Sequence, residues 1–328
     1  MGIDLKAKYL GAMVGSALGD AIGELAFHYP EKKRLSALVN RIEKFIYTDD
    51  TAMAIGLAES ILQKRGIDPQ HLGDTFNRNF HREPWRGYAS GPPTIFSMVR
   101  GHGISYVEAA KSLFGGAGSM GNGAAMRIVP IGLFFHNSEH LYEEACVSAE
   151  VTHAHPVGMD GAAVQAFAIS QGVKLDPQKE FPLEIFIQGL IAFARTPEIL
   201  EKMKLVQTSV TEGISPGIAA VRLGRSVAVD KSMPFAIYSF LRYPKSFEDC
   251  LFCAILNGGD RDTLGAMACA TSGAYLGIEA IPKSWHDKLE NRETIEHLAS
   301  SLAELYPPSQ KATGLPVDEC EKNKSPKL

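Results

Sequence analysis

Period-two alternation of apolar and polar residues is nearly absent from this chain of 328 residues, which excludes a sheet-based fold. A basic excess is also missing. With 33 Lys and Arg against 37 Asp and Glu, the formal net charge is −4, and no basic stripe offers a footprint for nucleic acid. Long apolar runs are lacking too: stretches such as Leu183 to Ala194 are interrupted and too short to cross a bilayer. The N-terminus has no signal-peptide layout, and Lys6 stands where a myristoylation signal needs Ser or Thr. The final Pro-Lys-Leu is a poor match to a peroxisomal address. Cysteines are few and odd in number, five across the chain, which fits reduced thiols in a cytoplasmic protein. Cys250 and Cys253 form a C-x-x-C, but inside an apolar run that reads as a core helix rather than a redox turn.

What the chain does have is helical periodicity, with 45% hydrophobic residues, enough for a large core. The pattern predicts helices over 5–27, 51–64, 122–135, 139–151, 157–172, 182–194, 234–242, 247–256, 261–277 and 292–305. Ser226 to Val229 is a weak strand candidate that reads equally well as a loop. Pro/Gly-rich breaks at 87–93, 115–123, 154–158 and 214–217 are too short for interdomain linkers. The expectation is one all-α domain over 1–306, a monomer, with a disordered tail over 307–328.

Two short segments carry concentrated chemistry. Thr48-Asp49-Asp50-Thr51 and Gly258-Gly259-Asp260-Arg261-Asp262-Thr263 each crowd two carboxylates beside threonine hydroxyls. Helix capping accounts for one Asp per segment. Two segments of the same chemistry fit a shared cation site better, because crowded carboxylates repel unless neutralised. Oxygen-only donors suit Mg²⁺ or Mn²⁺ rather than Zn²⁺. Arg261, between Asp260 and Asp262, is expected to point outward.

Glycine stripes suggest how the segments meet. Gly11, Gly15, Gly19 and Gly23 recur every four residues, as do Gly265, Cys269, Gly273 and Gly277. Interior helical glycines cost about 1 kcal/mol each relative to alanine, so close helix–helix approach is the reason to keep them. Such a crossing carries Asp260 and Asp262 toward Asp49 and Asp50, with Asp20 and Glu24 facing the same place.

A glycine-dense loop, Phe114-Gly-Gly-Ala-Gly-Ser-Met-Gly-Asn-Gly-Ala-Ala-Met-Arg127, runs into a helix. It has no Gly-Lys-Ser/Thr, so it is not a P-loop. Alone it reads as a structural crossing; beside a Mg²⁺ centre it reads as a diphosphate cradle. In Thr152-His153-Ala154-His155-Pro156, a neutral histidine donating to a ligand is preferred over a histidine–metal bond, and His155 fits a helix C-terminus equally well.

Together these segments resemble the ADP-ribosylglycohydrolase family, over about residues 8–305. The motifs stand in family order: Gly19-Asp20, Thr48 to Thr51, Gly121-Asn-Gly with Met126-Arg127, Thr152-His153 and Gly258 to Thr263. The resemblance implies an orthogonal all-α fold with two Mg²⁺ (or Mn²⁺) and hydrolysis of a bond to the anomeric carbon of ADP-ribose. It implies Thr48, Asp49, Asp50, Asp260, Asp262 and Thr263 as metal ligands, with Asp50 and Asp262 carrying catalysis; Glu24, one helical turn from the position of the family's mobile glutamate and on roughly the same face, is expected to replace it as a catalytic residue. Gly118, Ser119, Gly121 and Asn122 would line the diphosphate, His153 the ribose or phosphate, and Phe114 the adenine. Two departures bear on linkage. The mobile glutamate of the serine-directed branch falls on Phe27 here, with Glu24 one turn earlier, and an aromatic loop position of that branch is Met120. O-linked substrates are expected, with arginine-linked ones, or a non-catalytic ADP-ribose-binding or crystallin-like structural role, as alternatives.

Overall fold

The computed structural model describes residues 4–306; the expected tail over 307–328 lies outside them. Among the described residues there are eighteen α-helices and no strand longer than an isolated bridge. Buried apolar side chains from Tyr9 to Leu302 form one continuous cluster. Every predicted helix is present. The stretch predicted over 122–135 is two short helices, Gly123–Met126 and Val129–Phe134, with Pro130 in the first turn of the second.

Further helices escaped the periodicity, among them Lys32–Arg41, Pro69–Arg82, Gly91–His102 and Pro197–Thr211. They are surface helices with narrow apolar stripes; Lys32–Arg41 buries only Leu35 and Val39. Several open on proline in the first turn, so the breaks at 87–93 and 214–217 run into helix starts. Ser226 to Val229 is loop leading into a 3₁₀ turn, with one antiparallel bridge between Gly121 and Ala228.

The N-terminal helix Leu5–His28 and the late helix Arg261–Leu276 cross antiparallel at the centre of the bundle. A Cβ added at Gly19 would stand 2.2 Å from the Gly265 carbonyl oxygen, and one at Gly273 would stand 1.9 Å from that of Gly11. Backbone meets backbone here, which is why the two stripes are glycine. At the far end a Cβ on Gly23 would lie 2.6 Å from the Cα of Asp262, so the crossing sets Asp20 and Glu24 against the late acidic segment. The expectation that no stretch reaches membrane length needs one correction. The N-terminal helix is long and apolar enough, with mean hydropathy 1.3 over its best 18-residue window, but 78% of that window is buried within the protein. The C-x-x-C lies in the helix Phe247–Ile255 with both thiols buried and unpaired, as core packing.

Candidate active site

Thr48 stands at the N-cap of the helix Asp49–Lys64, yet its side chain makes no capping bond. Its hydroxyl instead donates to Asp20 Oδ1 at 2.8 Å and approaches Asp50 Oδ2 at 3.3 Å. Asp20, wholly buried, also accepts from the backbone N–H of Thr48 (3.0 Å), the N–H of Thr51 (3.1 Å) and the hydroxyl of Thr51 (2.6 Å). It therefore shapes the turn that presents Asp49 and Asp50. Arg86, which the sequence reading did not single out, braces the same turn. Its Nη1 donates to the Tyr47 carbonyl (2.9 Å) and Glu290 (2.7 Å), its Nη2 to Glu83 (2.9 Å), and its guanidinium lies 4.0 Å from the centroid of the Tyr47 ring.

The second acidic segment is also free of caps. Asp260 occupies the N-cap of Arg261–Leu276 without a side-chain capping bond, and Asp262 Oδ1 accepts only from the adjacent Thr263 N–H, at 2.9 Å. Arg261 does not point outward as expected. It is half-buried and folds back onto the Ile255 carbonyl, while Arg225 binds the carbonyl of Asn257. The two guanidiniums thus hold the turn that delivers Asp260. Gly258 and Gly259 take φ of +84° and +82°, and a Cβ on Gly259 would strike the Arg225 carbonyl oxygen, the acceptor of the Asp260 N–H.

The fold brings both segments together. Burial first, then the Asp20 charge, pushes the Asp49 carboxyl up to about 7. Asp50 is driven well above the ordinary carboxylate range by burial and then by Asp20, Asp262, Asp49 and Asp260. Asp262 rises to about 8 through burial, then Asp260 and Asp20, with Glu24 adding to it. Carboxylates from two ends of the chain are thus close enough to oppose one another's ionisation. Capping does not account for them.

The donor set fits a hard divalent cation. Asp50 Oδ1 is buried with no hydrogen-bond partner, and the Thr263 hydroxyl has only a 4.0 Å contact to Met126 sulfur. Both are oxygens without a protein partner of their own strength. Among the described residues no group of three or more acidic, histidine or cysteine side chains stands close enough together to hold a metal ion by itself. The set is an assembly of oxygen donors on two helix starts.

The glycine-dense loop lies against it. Asn122 Nδ2 donates to Asp260 Oδ2 at 2.6 Å, joining loop and acidic cluster directly. A second tie runs through residues 225–229: Asn122 N–H donates to the Val227 carbonyl (2.9 Å) and Val229 N–H to that of Met120 (3.0 Å). Behind the loop, a Cβ on Gly118 would clash with the backbone at Ala154 and His155, and one on Gly158 with the Ser119 carbonyl. Ser119 Oγ accepts from Gly121 N–H at 3.1 Å. Phe114 interrupts the helix Tyr106–Gly116 with φ +53° and is 70% exposed, an aromatic held out in a strained left-handed conformation. Met120 is exposed near it in sequence.

His153 is buried, and burial followed by the Arg127 charge lowers it to about 3, so its imidazole is neutral. His155 does not stabilise a helix C-terminus. It caps the N-terminus of Pro156–Lys174, its Nδ1 accepting from Val157 N–H at 3.1 Å. A cavity of about 510 Å³ lined by Arg225, Val227, Gly259 and Asp260 borders this site, whereas one of about 530 Å³ lined by Glu198, Lys202 and Asp230 shares no residue with it.

Comparison with known proteins gives the family and the fold. The family model described as ADP-ribosylglycohydrolase matches residues 1–312. The chain belongs to the ADP-ribosylglycohydrolase family. The human ADP-ribosylhydrolase ARH3 is 29% identical, over 92% of this chain and 94% of its own, and the zebrafish (Danio rerio) one is 31% identical, over 92% and 91%. A solved structure titled ADP-ribosylglycohydrolase-related protein complex superposes with a TM-score of 0.70 at 26% identity, covering 92% of this chain and 99% of that one. The chain is accordingly a hydrolase of ADP-ribose linkages, and its family acts on ADP-ribosylated substrates.

Proposed function

We propose that this ADP-ribosylglycohydrolase releases ADP-ribose from O-linked conjugates, such as serine-ADP-ribose, poly(ADP-ribose) or O-acetyl-ADP-ribose, with two Mg²⁺ (or Mn²⁺) held by Thr48, Asp49, Asp50, Asp260, Asp262 and Thr263. The observation that supports the reading is the Asn122–Asp260 hydrogen bond, which ties the glycine-dense loop directly to the paired acids. The metal ions, when bound, supply an acidified water and charge stabilisation at the anomeric carbon. The protein does the rest. Gly118, Ser119, Gly121 and Asn122 receive the diphosphate, and exposed Phe114 offers its ring to the adenine. Glu24 lies one turn beyond Asp20, and its charge reaches Asp262. From there its carboxylate can hold or pass the proton of the leaving oxygen.

Arginine-ADP-ribose is the second reading, favoured by Phe27 and Met120 where the serine-directed branch has a glutamate and an aromatic. The test is release of free ADP-ribose from matched serine- and arginine-modified peptides, with Mg²⁺ and with EDTA. Mg²⁺-dependent release from the serine peptide supports the proposal. Release from the arginine peptide alone transfers the chain to the second reading, and release that survives EDTA overturns the metal assignment.

A further inference from the structure

Arg127 is the largest wholly buried side chain described, and its hydrogen bonds among the described residues go to no carboxylate, although the Asp49 charge acts on it. Its guanidinium donates to the carbonyls of Gly123 (3.1 Å) and Ser148 (3.3 Å) and, most closely, to the hydroxyl oxygen of Thr152 at 2.7 Å; it also lies 4.7 Å from the centroid of the Phe76 ring. Thr152 Oγ1 in turn lies 2.8 Å from His153 Nδ1. Arg127, Thr152 and His153 thus form a buried chain that ends at the glycine loop.

The direction of that chain follows from proton inventory. An arginine can only donate, so Thr152 Oγ1 accepts from it and has its single proton left to give. If His153 Nδ1 carried a proton, the threonine oxygen would accept twice and its own hydrogen would be buried without an acceptor, a loss of about 1–3 kcal/mol. The hydroxyl therefore donates to Nδ1. A neutral imidazole with Nδ1 as acceptor carries its hydrogen on Nε2. That atom faces the loop: Nε2 would be 3.4 Å from a Cβ on Gly121 and 2.9 Å from one on Gly123, and the absence of side chains there leaves room for the ring.

We propose that Arg127 and Thr152 are positioning residues that fix His153 as the Nε2–H tautomer, so that the imidazole presents a hydrogen-bond donor to an anionic oxygen of the diphosphate. The donor role rests on the ADP-ribose reading above; the tautomer does not. Buried arginine serves here as a source of donors that cannot reverse polarity, and threonine transmits that polarity across one residue. None of the hydrogen bonds of this chain goes to the acidic cluster; Asp49 acts on Arg127 through its charge alone.

The experiment is nitrogen-15 NMR of His153 in the wild-type protein, Thr152→Val and Thr152→Ser, combined with calorimetric titration of ADP-ribose. Wild type and Thr152→Ser are expected to show the Nε2–H tautomer. Thr152→Val, nearly isosteric but without the hydroxyl, should shift His153 toward Nδ1–H and weaken ADP-ribose about tenfold, the order expected for one charge-assisted hydrogen bond. Mg²⁺ affinity should be unchanged in both variants. An Nδ1–H signal in the wild type overturns the proposal, as does a Thr152→Val protein that keeps both tautomer and affinity. A wild type that shows Nε2–H but fails to bind ADP-ribose overturns the ADP-ribose reading and the donor role with it.

Discussion

In EDTA this protein should lose stability as pH rises from about 5.5 to 7.5, the range over which crowded carboxyls are forced to ionise. Asp20, Asp49 and Asp262 are raised to about 6, 7 and 8, chiefly by burial, and Asp50 lies well above its ordinary value. In the unfolded chain the same groups ionise near 4. A raised folded value means that the native state keeps protons the unfolded chain has released, so stability is full at low pH and declines through the folded value. Each carboxyl held protonated removes about 1.4 kcal/mol per pH unit, so a single group accounts for about 3 kcal/mol across this window. For a domain of this size, with an unfolding entropy of about 0.6 kcal/mol/K, that is a fall in Tm of about 4–5 °C from one group. Thermal melts at three pH values, with and without millimolar Mg²⁺, give the measurement. Mg²⁺ should flatten the slope by taking the place of the protons. Asp50→Asn should raise metal-free stability at the upper pH and abolish the Mg²⁺ response, an exchange of function for stability. Metal-free stability that stays flat or climbs over this range would refute the assignment of these carboxyls to one crowded site.

Other outcomes follow from single positions. Gly265→Ala places a methyl 2.2 Å from the Gly19 carbonyl oxygen, so the central helices must part; a loss of about 2–3 kcal/mol is expected in denaturant melts despite the better helix former. Phe114→Gly should leave stability within about 1 kcal/mol, because relief of the left-handed strain offsets the freer unfolded chain. The same variant should weaken ADP-ribose about tenfold if the ring stacks on adenine, and unchanged affinity in calorimetry would exclude that role. Arg86→Met strands Glu83 and Glu290 and frees the Tyr47 carbonyl, so a loss of about 3 kcal/mol together with weaker Mg²⁺ binding is expected from melts and titrations.

The sequence alone determined the helical class, the two acidic segments, the glycine loop and the crossing of the glycine stripes. These are local signals: period, composition and spacing write them directly into short stretches of chain. It also indicated that Asp20 and Glu24 face the acids, since residues one turn apart on a striped helix share a side. Surface helices such as Pro69–Arg82 were missed because they are polar overall, so that their apolar stripe, though regular, rests on only a few residues. The partners of individual polar atoms were decided by tertiary structure. Asp20 as the acceptor that shapes the Thr48 turn, Arg86 as its brace, Arg261 folded back onto Ile255 and His155 as an N-cap each depend on which groups are brought within about 3 Å. Hydrogen bonds are short-ranged and directional, so spacing along the chain can nominate such residues, but only the packed fold assigns each donor its acceptor.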